Sequence, residues 1–263
     1  MTQKLVVIGA GMASGRALEH VLEGGGDFDI TLFGAEPRGN YNRIMLSPVL
    51  SGEKTYEEIV THDAAWYAEN GITTRFGEYV SEIDPEAKVI KTASGDVAYD
   101  KLLLATGSDP FIIPVPGKDL EGVMAYRDLD DVERMKDYAS KPHAKAVVIG
   151  GGLLGLEAAA GLKAQGMDVT VIHLSGHLME RQLDPAAGFL LKRELELRGI
   201  KVLLEAHTAE IRGEGKVEAV LLKDGRVIAA DMVCMAVGIR PAAALGKASG
   251  IACNRGIIVD DQM

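Results

Sequence analysis

Cysteine is nearly absent from this chain of 263 residues, which holds only Cys234 and Cys253. Two thiols with no CxxC spacing exclude a disulfide-stapled fold and a cysteine-built zinc site. Positive charge is also short, with 28 Lys and Arg against 38 Asp and Glu and a formal net charge of −10. A protein that binds phosphate backbones needs a concentrated basic surface, so no nucleic-acid partner is expected. Long apolar runs are missing too. Met1-Thr2-Gln3-Lys4 leads into only Leu5-Val6-Val7-Ile8, too short for a signal peptide. A later stretch, Ala146 to Leu162, is broken by four glycines between Gly150 and Gly155 and by Glu157. It reads as strand, turn and helix, and no membrane partner is expected. With 47% hydrophobic and 25% charged residues, the composition is that of an ordinary reduced, cytoplasmic globular protein of one or two domains.

What is present is a repeat. Leu5-Val6-Val7-Ile8-Gly9-Ala10-Gly11-Met12-Ala13-Ser14 opens the first half, and Ala146-Val147-Val148-Ile149-Gly150-Gly151-Gly152-Leu153-Leu154-Gly155 opens the second. Each is a continuous apolar strand pattern, then a Gly-rich turn, then a helix-compatible segment (Gly15 to Leu22, Leu156 to Gln165). A second strand follows each, Asp29 to Phe33 and Asp168 to Ile172. Further on, Lys101-Leu102-Leu103-Leu104-Ala105-Thr106-Gly107 is echoed by Met232-Val233-Cys234-Met235-Ala236-Val237-Gly238. Alternating, turn-punctuated segments suited to β-meanders precede both. Asp184-Pro185 predicts an N-cap with Pro at N1, opening a helix to about Arg198-Gly199. Two βαβ units joined in this way imply an α/β fold of two Rossmann-like domains.

Gly150, Gly152 and Gly155 complete a Gly-x-Gly-x-x-Gly pattern, while the first turn has Gly9, Gly11 and Ser14, with Gly15 beside it. Such a turn serves dinucleotides because it lets backbone approach a pyrophosphate at a helix N-terminus. One turn alone is a weak signal, and two in matching contexts are a strong one. Glu36, after the second strand of the first half, is placed to accept hydrogen bonds from ribose hydroxyls. In the second half neither an acid nor an Arg stands near His173, and weak discrimination between NADH and NADPH is expected. His173, His177 and Glu180 have a spacing a metal site could use, but Gly176 interrupts it. They are read as surface-loop residues, and no metal is expected. Cys234 reads as a small core residue, and Trp66 and Tyr67 as packing.

These residues, with Val237-Gly238-Ile239-Arg240-Pro241, resemble the pyridine nucleotide–disulfide oxidoreductase superfamily over nearly the whole chain. Asn40-Tyr41-Asn42-Arg43-Ile44-Met45-Leu46-Ser47 and Leu178-Met179-Glu180-Arg181-Gln182-Leu183-Asp184 resemble the flavin module of assimilatory NAD(P)H-nitrite reductase large subunits. Ferredoxin and rubredoxin reductases are near relatives. The resemblance implies three-layer (ββα/αβα) domains, with FAD on the first turn and NAD(P)H on an inserted second domain. The expected division is residues 1–115, the insertion 116–229, and a return at 230–263. The implied FAD residues are Gly9, Gly11, Ser14, Glu36, Arg43, Ser47, Thr106 and Gly107, with Arg43 the candidate for tuning the flavin. The implied NAD(P)H residues are Gly150, Gly152, Leu154, Gly155, Glu157 and Gly238.

The sequence departs from the pattern in two respects. Residues 1–233 hold no cysteine, which excludes the thiol–disulfide relay of the disulfide-reducing branch. Where ferredoxin-reductase relatives often place Lys, this chain has Pro48. Relatives also continue past a segment like Gly256 to Met263 into a closing strand with a flavin-binding Asp. A piece of a larger electron-transfer protein is therefore expected, holding FAD less tightly and self-associating into a homo-oligomer. Hydride would pass from NAD(P)H to FAD, and electrons on to an iron–sulfur or sirohaem acceptor domain. The alternatives are a stand-alone ferredoxin or rubredoxin reductase and a non-catalytic nucleotide-binding fragment.

Overall fold

The computed structural model describes residues 2–263. The chain divides into two compact units, one of Met1–Arg43, Glu57–Asp109 and Arg240–Met263, the other of Ile44–Tyr56 and Pro110–Ile239.

The first unit opens with β1 (Gln3–Ile8), α1 (Met12–Glu23) and β2 (Phe28–Gly34). After α2 (Leu46–Ser51), which belongs to the other unit, come α3 (Ala64–Glu69) and β3 (Ile72–Phe76). The hairpins β4 (Val80–Asp84), β5 (Val89–Thr92) and β6 (Gly95–Ala98) then lead to β7 (Lys101–Leu104). The main sheet has the order β3-β2-β1-β7, all parallel, and β4-β5-β6 forms an antiparallel sheet of its own. Alternation along β1 separates the layers. Leu5 and Val7 join Leu18 of α1 in one core, and Val6 and Ile8 join Val80, Ile83 and Ile90 of the antiparallel sheet in another. The unbroken apolar run Leu5–Ile8 is what a sheet covered on both faces requires.

After β8 (Ser108–Pro110), the second unit runs through β9 (Val123–Ala125), α4 (Leu129–Ala139), β10 (Lys145–Ile149), α5 (Leu153–Ala164) and β11 (Asp168–Ile172). It continues with α6 (Pro185–Leu197), β12 (Lys201–Leu203), the meander β13 (Thr208–Arg212), β14 (Ala219–Leu222) and β15 (Val227–Ala229), and β16 (Met232–Met235). β17 (Ile239–Pro241) and α7 (Ala244–Ala248) complete the chain. The parallel sheet has the order β12-β11-β10-β16-β9. Val147 and Ile149 of β10 face the meander through Ile211, Val220 and Leu222, as Val6 and Ile8 do in the first unit. The expected cap is present: the Asp184 carboxylate accepts from the Ala187 N–H at 2.8 Å, with Pro185 opening α6. The apolar stretch from Ala146 resolves into β10, a turn and α5, and no helix among the described residues is long and apolar enough to cross a membrane.

The repeat reaches individual hydrogen bonds. Lys4 and Asp100 exchange two, Asp100 N–H to Lys4 O and Lys4 N–H to Asp100 Oδ2, and Lys145 and Asp231 exchange the same two. The unit boundaries differ from those read in the sequence. β16 pairs with β10 and β9, so the chain returns to the first unit at Arg240 rather than at 230. Residues 44–56 also belong to the second unit, because α2 packs on α5. A Cβ on Gly161 would sit 2.7 Å from Leu50 Cγ, and Gln165 Nε2 donates to Leu50 O at 2.9 Å. Leu50 is fully buried there, worth about 2 kcal/mol of apolar transfer.

Candidate functional site

Each Gly-rich turn leaves a βαβ unit the same way. The Gly9 N–H donates to Phe33 O and the Ala105 N–H to Ile8 O; the Gly150 N–H donates to Ile172 O and the Ala236 N–H to Ile149 O. Gly9 has φ +107° and Gly150 has φ +125°, conformations that disfavour a side chain, and a Cβ would overlap the carbonyl of Ala105 or Ala236. Gly11 and Gly152 are different. Their backbone is extended, and a Cβ would meet no atom within 4 Å. A glycine with free space around it is a place where something outside the chain can approach the backbone.

The helix ends reinforce this. Among the described residues four helices have 11 to 13 residues, and in α4 and α6 the N-cap is Asp128 or Asp184, whose side chain accepts a first-turn N–H. In α1 and α5 the N-cap is Gly11 or Gly152, no side chain caps the end, and the first turn holds no acid. Amides left uncapped beside an open backbone cradle suit an anion such as a pyrophosphate. A dinucleotide fits both turns.

The third positions differ. Ser14 is buried and donates from Oγ to Gly11 O at 2.8 Å, while Gly155 lies so close to Gly150 O that a Cβ would overlap it. In the first unit it is Gly15 whose Cβ space is filled, by the buried Asn40 amide, and Asn40 Nδ2 lies 3.1 Å from His62 Nδ1. Trp66 and Tyr67 serve as packing, Tyr67 buried in the core beside α1.

The remaining residues singled out in the sequence fall into small groups. Glu36 forms an ion pair with Arg43 and accepts from the Tyr41 hydroxyl at 2.7 Å. The expected ribose acceptor and the expected flavin-tuning cation are therefore partners. Thr106 Oγ1 donates to Ala242 O at 2.8 Å, and Gly107 O accepts from the Ala242 N–H at 3.0 Å. In the second unit the Ser47 hydroxyl donates to Glu157 Oε2 at 2.7 Å and lies 2.9 Å from the Tyr126 hydroxyl. Burial pushes the Tyr126 phenol up, so it stays protonated and donates to Ser47, which passes its own proton toward Glu157. The resemblance groups Ser47 with the first-turn residues and Glu157 with the second; α2 brings them together. Leu154 is exposed at the start of α5, and Gly238 O accepts from the Phe111 N–H at 2.9 Å.

One cluster corrects the sequence reading. His173 is not a surface-loop residue: it is buried, its Nδ1 lies 3.0 Å from the Gly151 N–H, and its Nε2 lies 3.0 Å from Glu180 Oε2. His177 points elsewhere, with Nε2 3.2 Å from Leu183 O, and no metal-binding group of three or more side chains occurs among the described residues.

Residues 3–263 match the pyridine nucleotide-disulphide oxidoreductase family. The chain belongs to that family. It is 54% identical over 263 residues to Nitrite reductase [NAD(P)H] of Bacillus subtilis (strain 168), covering 99% of this chain and 32% of that protein. It is 46% identical to the assimilatory nitrate reductase electron transfer subunit of the same organism, covering 99% and 34%. The chain thus spans about a third of the length of these two relatives. The covalent putidaredoxin reductase–putidaredoxin complex superposes with a TM-score of 0.92 at 26% identity, covering 99% of this chain and 64% of that one.

Proposed function

We propose that this chain is a flavin-dependent NAD(P)H oxidoreductase module, with FAD on the Gly9–Ser14 turn and NAD(P)H on the Gly150–Gly155 turn. The observation that carries the reading is the pair of glycine-capped helices. Gly11 and Gly152 leave open space at uncapped amides, while the other two long helices are closed by Asp. Bound together, the two cofactors supply hydride transfer from nicotinamide to flavin.

The protein's part is to bind, orient and hold charge. Gly9 and Gly150 set the turns, and the first amides of α1 and α5 take the phosphates. Glu36 accepts from ribose hydroxyls, oriented by Arg43 and Tyr41. Ser47, with Tyr126 behind it, fixes the rotamer of Glu157 one turn into α5. With residues 1–233 free of cysteine, electrons leave by a route other than a thiol pair. We propose an iron–sulfur or sirohaem domain of the nitrite reductase kind as the acceptor, and a cytoplasmic protein; the 54% identity with a nitrite reductase supports the first part of that reading.

Titration with FAD, followed by its absorbance, tests the reading. Gly11→Val should keep the fold and lose flavin binding, because the valine fills the pyrophosphate's place. Gly152→Val should keep flavin and lose its bleaching by NADH. Undiminished flavin binding in folded Gly11→Val protein overturns the assignment of the first turn.

A further inference from the structure

The His173 cluster lies at the second turn, and its geometry extends the reading above, on which it rests. Gly151, the middle residue of that turn, is held from both sides. Its N–H donates to His173 Nδ1 at 3.0 Å, and its carbonyl accepts from the Met179 N–H at 2.9 Å. An imidazole that accepts at Nδ1 carries its proton on Nε2. Nε2–H therefore donates to Glu180 Oε2, 3.0 Å away.

The loop that delivers Glu180 is built for the purpose. Leu178 is fully buried against the turn, since a Cβ on Gly151 would meet its Cδ2 at 2.6 Å. Met179 then takes a left-handed φ of +55°, a strained conformation for a methionine, and its carbonyl accepts from the N–H groups of Gln182 and Leu183. Strain of that sort persists where the surrounding contacts enforce it. Beyond these anchors Glu180 emerges exposed; Oε2 is tied to His173, and Oε1 has no partner among the described residues.

Pairing of Ile8 with Phe33 and of Ile149 with Ile172 makes His173 the counterpart of Gly34, two residues before Glu36. Glu36's own counterpart is Ser175, which carries no charge. We infer that Glu180, aimed by His173, supplies the missing carboxylate at the end of β11, accepts from the adenosine ribose hydroxyls of the nicotinamide coenzyme, and disfavours a 2′-phosphate. His173 is a positioning residue in this arrangement, and it replaces the weak discrimination read from the strand end alone. Arg181, exposed and next in the chain, is the cation that would act in the opposite sense.

The test is direct titration of NADH and of NADPH into the purified protein, wild type and variants, without turnover. Wild type should bind NADH at least about tenfold more tightly than NADPH, the scale of one charged hydrogen bond. Glu180→Gln should bring the two affinities within about threefold, mainly by weakening NADH. Glu180→Asp should restore part of the preference, which a purely structural loop residue would not do. Gly152→Val should lose both coenzymes. If Gly152→Val loses both while Glu180→Gln keeps the wild-type ratio, the role of Glu180 falls and the second-turn site stands. A wild-type preference for NADPH that Arg181→Gln removes overturns the proposal in the same way. If Gly152→Val binds both coenzymes normally, the second-turn assignment itself fails.

Discussion

The two Gly-rich turns share a backbone and differ in what leans on it. Ala10 in the first faces Gly34 at the end of β2, where a Cβ would come within 2.9 Å of the alanine methyl. The second turn reverses the pair. Gly151 carries no side chain, and His173 puts its ring where one would go, 2.7 Å from the ideal Cβ position. The space available is similar, and which partner fills it decides the chemistry. A methyl fills it inertly, whereas an imidazole brings two nitrogens that must be satisfied, and so recruits the Gly151 amide and Glu180. At the third place the first turn spends a serine hydroxyl on Gly11 O and packs Asn40 on Gly15. The second brings helix against strand with no side chain between them.

The sharpest break in this comparison should come where the turns agree. Gly9→Ala and Gly150→Ala each force a methyl onto a backbone carbonyl at positive φ, and each should cost about 3 kcal/mol or more in denaturant unfolding. A Gly150→Ala protein as stable as wild type would remove the claim of equivalence. Next come Gly15→Ala and Gly155→Ala, each about 2 kcal/mol. The obstacle to the first is the Asn40 side chain, so an added Asn40→Ala should recover about 1 kcal/mol beyond additivity. Gly155 meets backbone and has no such rescue. Gly34→Ala should cost about 1 kcal/mol, and less in an Ala10→Gly background, since the nearest obstacle is the Ala10 methyl, with Phe76 Cδ1 next at 3.3 Å. The smallest effect concerns Cys234, which stands in β16 where β7 has Leu103. It is fully buried, and burial pushes its thiol up, so a native thiol count should find Cys253 alone; rapid labelling of Cys234 would mean that β16 opens.

The repeat was legible because its signals are local. A run of four consecutive apolar residues in each strand, a Gly turn and the Asp184-Pro185 cap each follow from residues adjacent in the chain, and all three stand in the structure as read. The unit boundaries were less legible. Nothing local says that Leu46–Ser51 packs on α5, because that depends on Gly161, more than a hundred residues later, leaving room for Leu50. The same holds for the Ser47–Glu157 pair, whereas Arg43 and Glu36 stand seven residues apart and meet through the path of the loop between them. In each the residues were singled out, but the pairing was not.

The sequence by itself determined the two βαβ units, the turns that open them and the lack of cysteine in residues 1–233. Those depend on side-chain period, backbone freedom and residue type, which are properties of short stretches. Tertiary structure alone decided that His173 turns inward and carries Glu180 to the second turn. A histidine after a strand can face solvent or core with equal local comfort. The choice falls to Gly151, which leaves the ring its space and donates the hydrogen bond that makes burial tolerable.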